Sequence, residues 1–301
     1  MLFVKYNKLT RYRLFPVLVF PYHRNELIKL ILSCIIYNLV LFIRVIIRVC
    51  FGLSIEHKLS QLHPLSINHF LRLFNINHAI FKIKDYKFLV RTWVYDDEAT
   101  VFLEGEEDIF PLINLNRDSI VIDVGAYIGT YSIRFCKIAY KGKIVSIEPL
   151  YDNYLMLIYN AKLNNCKNLY PVNMGIWSEE GTKSIFYDSY GMSGATLNIN
   201  LIGKQSNFHK SITKVTTLDK LVNSFGFTKI DFLKIDAEGS EYEILKGANK
   251  VLDITKSVLI ETHEKNRYKC LDYLKNKGFK IIDLGIRHII TRYFFCQKNN
   301  C

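Results

Sequence analysis

Paired cysteines, nucleotide-type glycine repeats and N-terminal acids are all missing from this chain, and each absence removes a class of protein. None of the seven cysteines falls in a C-x-x-C pair, so neither a disulfide framework nor a zinc site is expected and a reducing cytosol is the natural setting. G-x-G-x-x-G occurs nowhere, so no room is made for the pyrophosphate of a dinucleotide. Residues 1–95 hold three acids against 14 Lys and Arg, whereas residues 96–301 hold 25 against 26. The net charge of +12 therefore belongs to the N-terminal third. A nucleic-acid enzyme is expected to carry a basic stripe around its active face, and the nearly neutral remainder offers none. Disorder is not indicated either: at 50% apolar residues over 301, the chain can bury one large domain with an appendage.

What is present is a pair of segments about a hundred residues apart, Ser119 to Ser132 (SIVIDVGAYIGTYS) and Asp231 to Leu245 (DFLKIDAEGSEYEIL). In the first, Ile120, Val121, Ile122 and Val124 form an apolar run too continuous for one wet face, which predicts a strand buried on both sides. Asp123 sits where that strand ends. Gly125 and Gly129, with Ala126 between them, permit a tight turn, and Thr130 to Ala139 reads as a helix stopped at Gly142. The next strand, Lys143 to Ile147, ends in Glu148 and Pro149, where a carboxylate beside a glycine loop can accept both hydroxyls of a ribose. An acid just before the first glycine repels phosphate but suits a cationic amino acid moiety, which favours S-adenosylmethionine over NAD. Taken singly, Asp123 could merely cap and the glycines merely turn the chain; the ordered set is the signal.

The set resembles the FkbM-type methyltransferase family. Its Asp-x-Gly-Ala turn appears as Asp123 to Gly129, its Ile-Glu-Pro as Ile147 to Pro149, its helix-end Asn as Asn160, and its Leu-Lys-Ile-Asp-x-Glu-Gly as Leu233 to Gly239. The resemblance implies an α/β fold, a Rossmann-like seven-stranded class I methyltransferase sheet with helices on both faces. It also implies S-adenosylmethionine as cofactor, held by Asp123, Gly125, Ala126, Gly129, Glu148, Pro149, Asn160 and Gly175. Asn160, near the end of a helix from Tyr151 to Leu163, is equally readable as a surface or C-cap residue. Gly175 follows the third strand, Leu169 to Met174, at the edge where an adenine ring would lie; Trp177 beside it reads first as a core or lid aromatic. Ser193 belongs to a glycine and serine segment, Ser189 to Thr196, that suits a loop over the cofactor and substrate or a plain hairpin turn.

The second segment carries the chemistry. Ile230 to Ile235 reads as a buried strand with Asp236 at its C-terminal edge, and Glu238 two residues on is a candidate for substrate binding. Ser240 and Glu243 have the spacing of a capping box, which makes Glu241 and Glu243 first-turn acids favoured by the helix dipole. Methyl transfer needs alignment in a dry pocket and a base for the hydroxyl proton. Asp236 is the first candidate for that base or for holding the acceptor, with Glu261 and His263, at the end of strand Ser257 to Thr262, as alternatives. The oxygens of Asp236, Glu238 and Glu261 are hard enough for a divalent cation, but neither spacing nor resemblance calls for a metal. The helix Lys265 to Lys277 and strands Phe279 to Leu284 and His288 to Cys296 close the chain.

Three regions are expected: a basic apolar segment over 1–60, a β-rich extension over 61–110 with a meander from about Ile80 to Leu103, and the FkbM-like domain over 111–301. Over Leu27 to Leu53, Lys29, Ser33, Tyr37, Arg44 and Arg48 fall within an arc of about 100° at 100° per residue. That stripe fits a helix lying in an anionic membrane interface; a helix packed on the domain comes next and a single span last, since the positive-inside rule would export the enzyme from the cytosol where the cofactor is kept. No small-residue cleavage site follows, so a signal peptide is not expected. The sequence thus points to a cytoplasmic enzyme, peripheral on a membrane's cytosolic face, that O-methylates a sugar, glycolipid or other small hydroxylated metabolite, with nucleic acid unlikely as a partner. The rival is a non-catalytic, membrane-associated scaffold retaining the fold.

Overall fold

The structure, a computed structural model, describes residues 18–19, 77–83, 85–102, 110–189, 191–198, 208–263, 265–286 and 291–298. The membrane helix expected over Leu27 to Leu53 lies outside them. Among the described residues no helix is long and apolar enough to cross a membrane.

A two-residue strand β1 (Leu18–Val19) pairs with β2 (His78–Ile83), which forms an antiparallel hairpin with β3 (Tyr86–Arg91). The expected meander stops there, because Tyr95–Phe102 forms helix α1 instead of further strand. Val101, whose apolar character suggested a strand, is buried on that helix. The central sheet contains β4 (Ile120–Val124), β5 (Lys143–Ile147), β6 (Leu169–Val172), β10 (Ile230–Ile235), β11 (Thr255–His263), β12 (Phe279–Ile286) and β13 (Thr291–Lys298). Their order is β12-β13-β11-β10-β4-β5-β6, parallel except where β13 pairs antiparallel with β11 and β12. β7 (Gly175–Ile176), β8 (Gly181–Tyr187) and β9 (His209–Thr216) form a second, small sheet.

The reason for the continuous apolar runs is visible in the packing. Neighbouring residues on each strand enter different clusters: Val121, Phe232 and Leu259 join one core, while Ile122, Leu233 and Ile260 join the other. Side chains alternate across a strand, so a sheet covered on both faces needs apolar residues at both parities. The first face is covered by α2 (Thr130–Ile138), α3 (Tyr151–Leu163) and the N-terminal hairpin; α4 (Leu218–Ser224), α5 (Glu241–Lys246), α6 (Asn249–Asp253) and α7 (Arg267–Asn276) cover the second. The capping-box spacing at Ser240 announced a helix here, and two short ones, α5 and α6, stand in its place. They separate at Gly247, where a Cβ would lie 2.4 Å from the Trp177 carbonyl oxygen.

The crossover from β4 runs to β5 on one side, and that from β10 runs to β11 on the other. Their adjoining C-terminal ends therefore open a crevice at the point where strand order reverses. One expectation fails outright: Cys136 on α2 and Cys166 just after α3 form a disulfide, with Cα atoms 5.9 Å apart. Thirty residues separate them, so the fold and not a local motif brings them together, and cysteine spacing ceases to argue for a reducing compartment.

Candidate active site

The crevice holds a cavity of about 570 Å³, within the range of roughly 300–1,000 Å³ that cofactor and small-molecule sites occupy. One end is built by the β4 turn and the end of β5. Gly125, at φ +80, passes so close to β10 that a Cβ would stand 1.6 Å from the Asp236 carbonyl oxygen, so only glycine fits. Ala126, Tyr127, Glu148, Pro149 and Gly175 line the same end. Glu148 is almost completely buried; its Oε2 accepts the Tyr127 N–H at 2.9 Å and its Oε1 the Leu150 N–H at 3.0 Å. Burial pushes its carboxyl up to about 7, against those two backbone donors. Oε1 is also approached by Asn153 Nδ2 at 3.4 Å, whereas Oε2 keeps a lone pair for a further donor, so a ribose hydroxyl of S-adenosylmethionine fits the residues present.

Three residues assigned to the cofactor do not reach the wall. Gly129, at φ +94, is the N-cap of α2, and its missing Cβ leaves room for Leu157 Cδ1 at 2.7 Å. Asp123 lies fully buried behind the wall, with Oδ2 accepting from Ser132 Oγ at 2.5 Å and Oδ1 3.7 Å from Lys234 Nζ. Asn160 is a clamp: its Oδ1 accepts the Leu89 N–H at 2.6 Å, while Nδ2 donates to the Ile128 carbonyl at 2.9 Å and to the Leu89 carbonyl at 3.1 Å. It joins the hairpin to the glycine turn from behind, a third reading beyond cap or cofactor contact.

The other end gathers Asp236, Glu238, Glu261 and His263, as their strand-end positions suggested. Lys234, buried inside β10, donates to Asp236 Oδ2 at 3.0 Å, and Tyr293 Oη donates to the same oxygen at 3.3 Å. Burial would raise Asp236, but the Lys234 ammonium and hydrogen bonds from Glu261, Lys234 and Tyr293 prevail and hold it below the usual carboxylate range. Burial and the Asp236 charge push Glu261 far up. One proton is thus held between the two, with Glu261 as donor.

Glu238 is raised by burial and the Asp236 charge, against the pull of His263. Its backbone sits at φ +46, a left-handed conformation uncommon for a side-chain-bearing residue and frequent at functional sites. His263 Nε2 lies 3.3 Å from Glu238 Oε2 and Nδ1 lies 3.4 Å from Glu241 Oε1, the second an ionic contact without hydrogen-bond alignment. Burial lowers His263, but the two carboxylates outweigh it and carry the imidazole up to about 10. Glu241 is completely buried, its Oε1 accepting the Gly239 N–H at 2.7 Å, so it is far more than a first-turn acid. The capping box does not form either: Ser240 caps α5 without a side-chain bond, and Glu243 turns instead to Ser178 Oγ at 2.6 Å.

Asp236, Glu238 and Glu261 bring one oxygen each within 4.8 Å of one another, close enough to share a divalent cation; the Lys234 ammonium already places positive charge among them. Ser193 lines the cavity and donates its hydroxyl to Asp96 of α1 at 2.5 Å. Trp177 is not in the wall; its ring lies under Lys183 Nζ at 4.3 Å. Sequence reasoning passed over Lys234, whose signal was a lone charge inside an apolar strand. It also passed over Tyr127, which sits inside the glycine turn, and over Asp96 and Tyr293, which carry no local signal because only the fold brings them to the site.

A doubly covered sheet of this order, with a glycine turn and a strand-end carboxylate at the switch point, defines a class I methyltransferase. The chain belongs to the FkbM methyltransferases: the family described as "Methyltransferase FkbM domain" matches residues 123–281, and S-adenosylmethionine is the cofactor that goes with it. It is similar to the hexuronic acid methyltransferase AglP of Haloferax volcanii, 29% identical over 163 residues, which cover 54% of this chain and 64% of that one. It is also similar to the methyltransferase sdnD of Sordaria araneosa, 26% identical over 201 residues, covering 57% and 78%. The chain therefore spans less than two thirds of the first relative's length. The crystal structure of the FkbM methyltransferase from Methylobacillus flagellatus superposes over 66% of this chain and 47% of that one, with 15% identity and a TM-score of 0.43.

Proposed function

We propose that this protein transfers a methyl group from S-adenosylmethionine to a hydroxyl of a sugar, glycolipid or similar small hydroxylated molecule. The observation that carries this reading is that the Glu148 end and the Asp236–Glu238–Glu261–His263 cluster open into one cavity. The cofactor, when bound, supplies an electrophilic methyl group on a sulfonium. Glu148 and the glycine turn hold its nucleoside part. Asp236, kept ionised by Lys234, accepts a hydrogen bond from a neighbouring hydroxyl of the acceptor and orients the reacting one. Glu238, raised by burial and the Asp236 charge, takes the proton, and the His263 imidazolium beside it holds the carboxylate in place before the transfer. A sugar acceptor draws support from the name of the Haloferax relative; hydroxyl chemistry draws it from a carboxylate cluster suited to proton transfer.

Glu238→Gln keeps the shape and removes the base, and is expected to lower kcat by about 10²–10⁴-fold while S-adenosylhomocysteine affinity stays within threefold or so. Full turnover in that variant, measured with a sugar panel, would remove Glu238 from the mechanism. Turnover is expected to survive a strong chelator; loss restored by magnesium would reassign the three carboxylates to a cation. The rival scaffold reading is favoured if S-adenosylhomocysteine fails to bind at high micromolar concentration.

A further inference from the structure

We infer that Arg91 and Asp97, which precede the family-matched residues 123–281, are positioning residues for the cofactor end of the cavity. Neither lines the cavity, and both are buried, Asp97 completely. Arg91, at the end of β3, donates Nε to Asp97 Oδ2 at 2.9 Å and Nη2 to Asp97 Oδ1 at 2.7 Å, a two-pronged pair. The same Asp97 Oδ1 accepts the Tyr127 hydroxyl at 2.5 Å. Arg91 Nη2 also donates to Asn153 Oδ1 at 2.9 Å, and Asn153 Nδ2 points to Glu148 Oε1 at 3.4 Å. Tyr127 completes the circuit, since its own backbone N–H is the donor to Glu148 Oε2. The polar ring therefore runs from Arg91 through Asp97, Tyr127, Glu148 and Asn153 back to Arg91.

The consequence is mechanical. Tyr127 stands in the glycine turn at φ +50, a conformation that persists only when its surroundings over-determine it. Its phenol is anchored at one end by Asp97, and its amide holds Glu148 at the other. Loss of the Asp97 acceptor leaves the phenol and one prong of the guanidinium without a buried partner. Tyr127 is then free to relax toward an ordinary backbone, withdrawing its N–H from Glu148 and shifting Ala126. The acceptor cluster hangs on β10 and β11 and is not part of this ring, so cofactor affinity should change more than the methyl-transfer step. In this way the hairpin and α1 form a functional part of the site, not an appendage to it.

This inference rests on the methyltransferase reading, and its test separates the two. S-adenosylhomocysteine is titrated calorimetrically into the full-length protein and into Asp97→Asn, Arg91→Lys and Tyr127→Phe, with thermal melting to check folding and kcat and KM for S-adenosylmethionine alongside. Asp97→Asn is expected to weaken binding by about tenfold or more and Tyr127→Phe by a few-fold, both raising KM more than they lower kcat. Arg91→Lys keeps the charge but loses the fork, and is expected to fall between them. If Asp97→Asn does not fold, Tyr127→Phe decides alone. Wild-type affinity in a folded Asp97→Asn, or in Tyr127→Phe in that case, overturns the inference. Failure of the wild-type protein to bind overturns the functional reading beneath it.

Discussion

Glu148 and His263 occupy opposite ends of one cavity, and burial acts on both, but their partners send the consequences in different directions. Glu148 sits near about 7 because its backbone donors only partly offset desolvation. An ionised carboxylate is the better acceptor for ribose hydroxyls, so S-adenosylhomocysteine affinity is expected to rise between about pH 6 and 8. Titrations across that range should show the rise in the wild-type protein and a flat profile in Glu148→Gln; a wild-type profile that is flat or falling contradicts the assignment. His263 is carried up to about 10 from an ordinary value of 6.5. A group raised in the folded state stabilises fully below its unfolded value and loses that contribution as pH climbs through the folded one. Melting temperature should therefore fall from about pH 7 to 10 in the wild-type protein and fall less in His263→Gln. Equal slopes would show that His263 is not held as an imidazolium.

At the scale of elements, the β4–α2 turn is the part most constrained by its neighbours. Gly125→Ala must displace the Asp236 carbonyl, 1.6 Å from the new Cβ, as well as bear φ +80; a loss of at least ~3 kcal/mol and of cofactor binding is expected. Gly226→Ala is the control, at φ +67 with nothing within 4 Å of the added atom, and should cost only about 1–2 kcal/mol. Chemical denaturation of the two variants distinguishes close approach from backbone strain, and similar losses would mean that strain alone governs both. The strands of the central sheet were legible because burial on both faces leaves an unbroken apolar run, as in Ile230 to Ile235. Capping and splitting of the following helix were not, since both depend on partners distant in sequence: Ser178 captures Glu243, and the Trp177 carbonyl crowds Gly247. The helix at Tyr95–Phe102 was missed for a similar reason, its buried Asp97 paying no attention to strand alternation because Arg91 and Tyr127 receive it.

For the whole molecule, the basic excess lies in residues 1–95 and the groups proposed to react lie beyond them. A membrane-surface role for the stretch Leu27 to Leu53 remains our proposal. Vesicles rich in anionic lipid are expected to pellet the full chain at low salt and release it as salt rises; unchanged pelleting after deletion of residues 1–55 would end that idea. Strand-end positions pointed to Asp236, Glu148 and Glu261, which line the cavity, whereas Asp123, inside β4, turns behind the wall to Ser132 and Lys234. The site was not legible where a residue acts through the fold: Asn160 and Asp97 reach the glycine turn from the N-terminal hairpin side, and no local pattern records such a contact. The central claim is that one cavity binds the methyl donor at the Glu148 end and performs chemistry at the Glu238 end. Calorimetric titration of S-adenosylhomocysteine into the wild-type protein, Glu148→Ala and Glu238→Gln tests it most directly. The account predicts one-to-one binding that Glu148→Ala abolishes and Glu238→Gln preserves; absence of wild-type binding, or binding indifferent to Glu148, would contradict it.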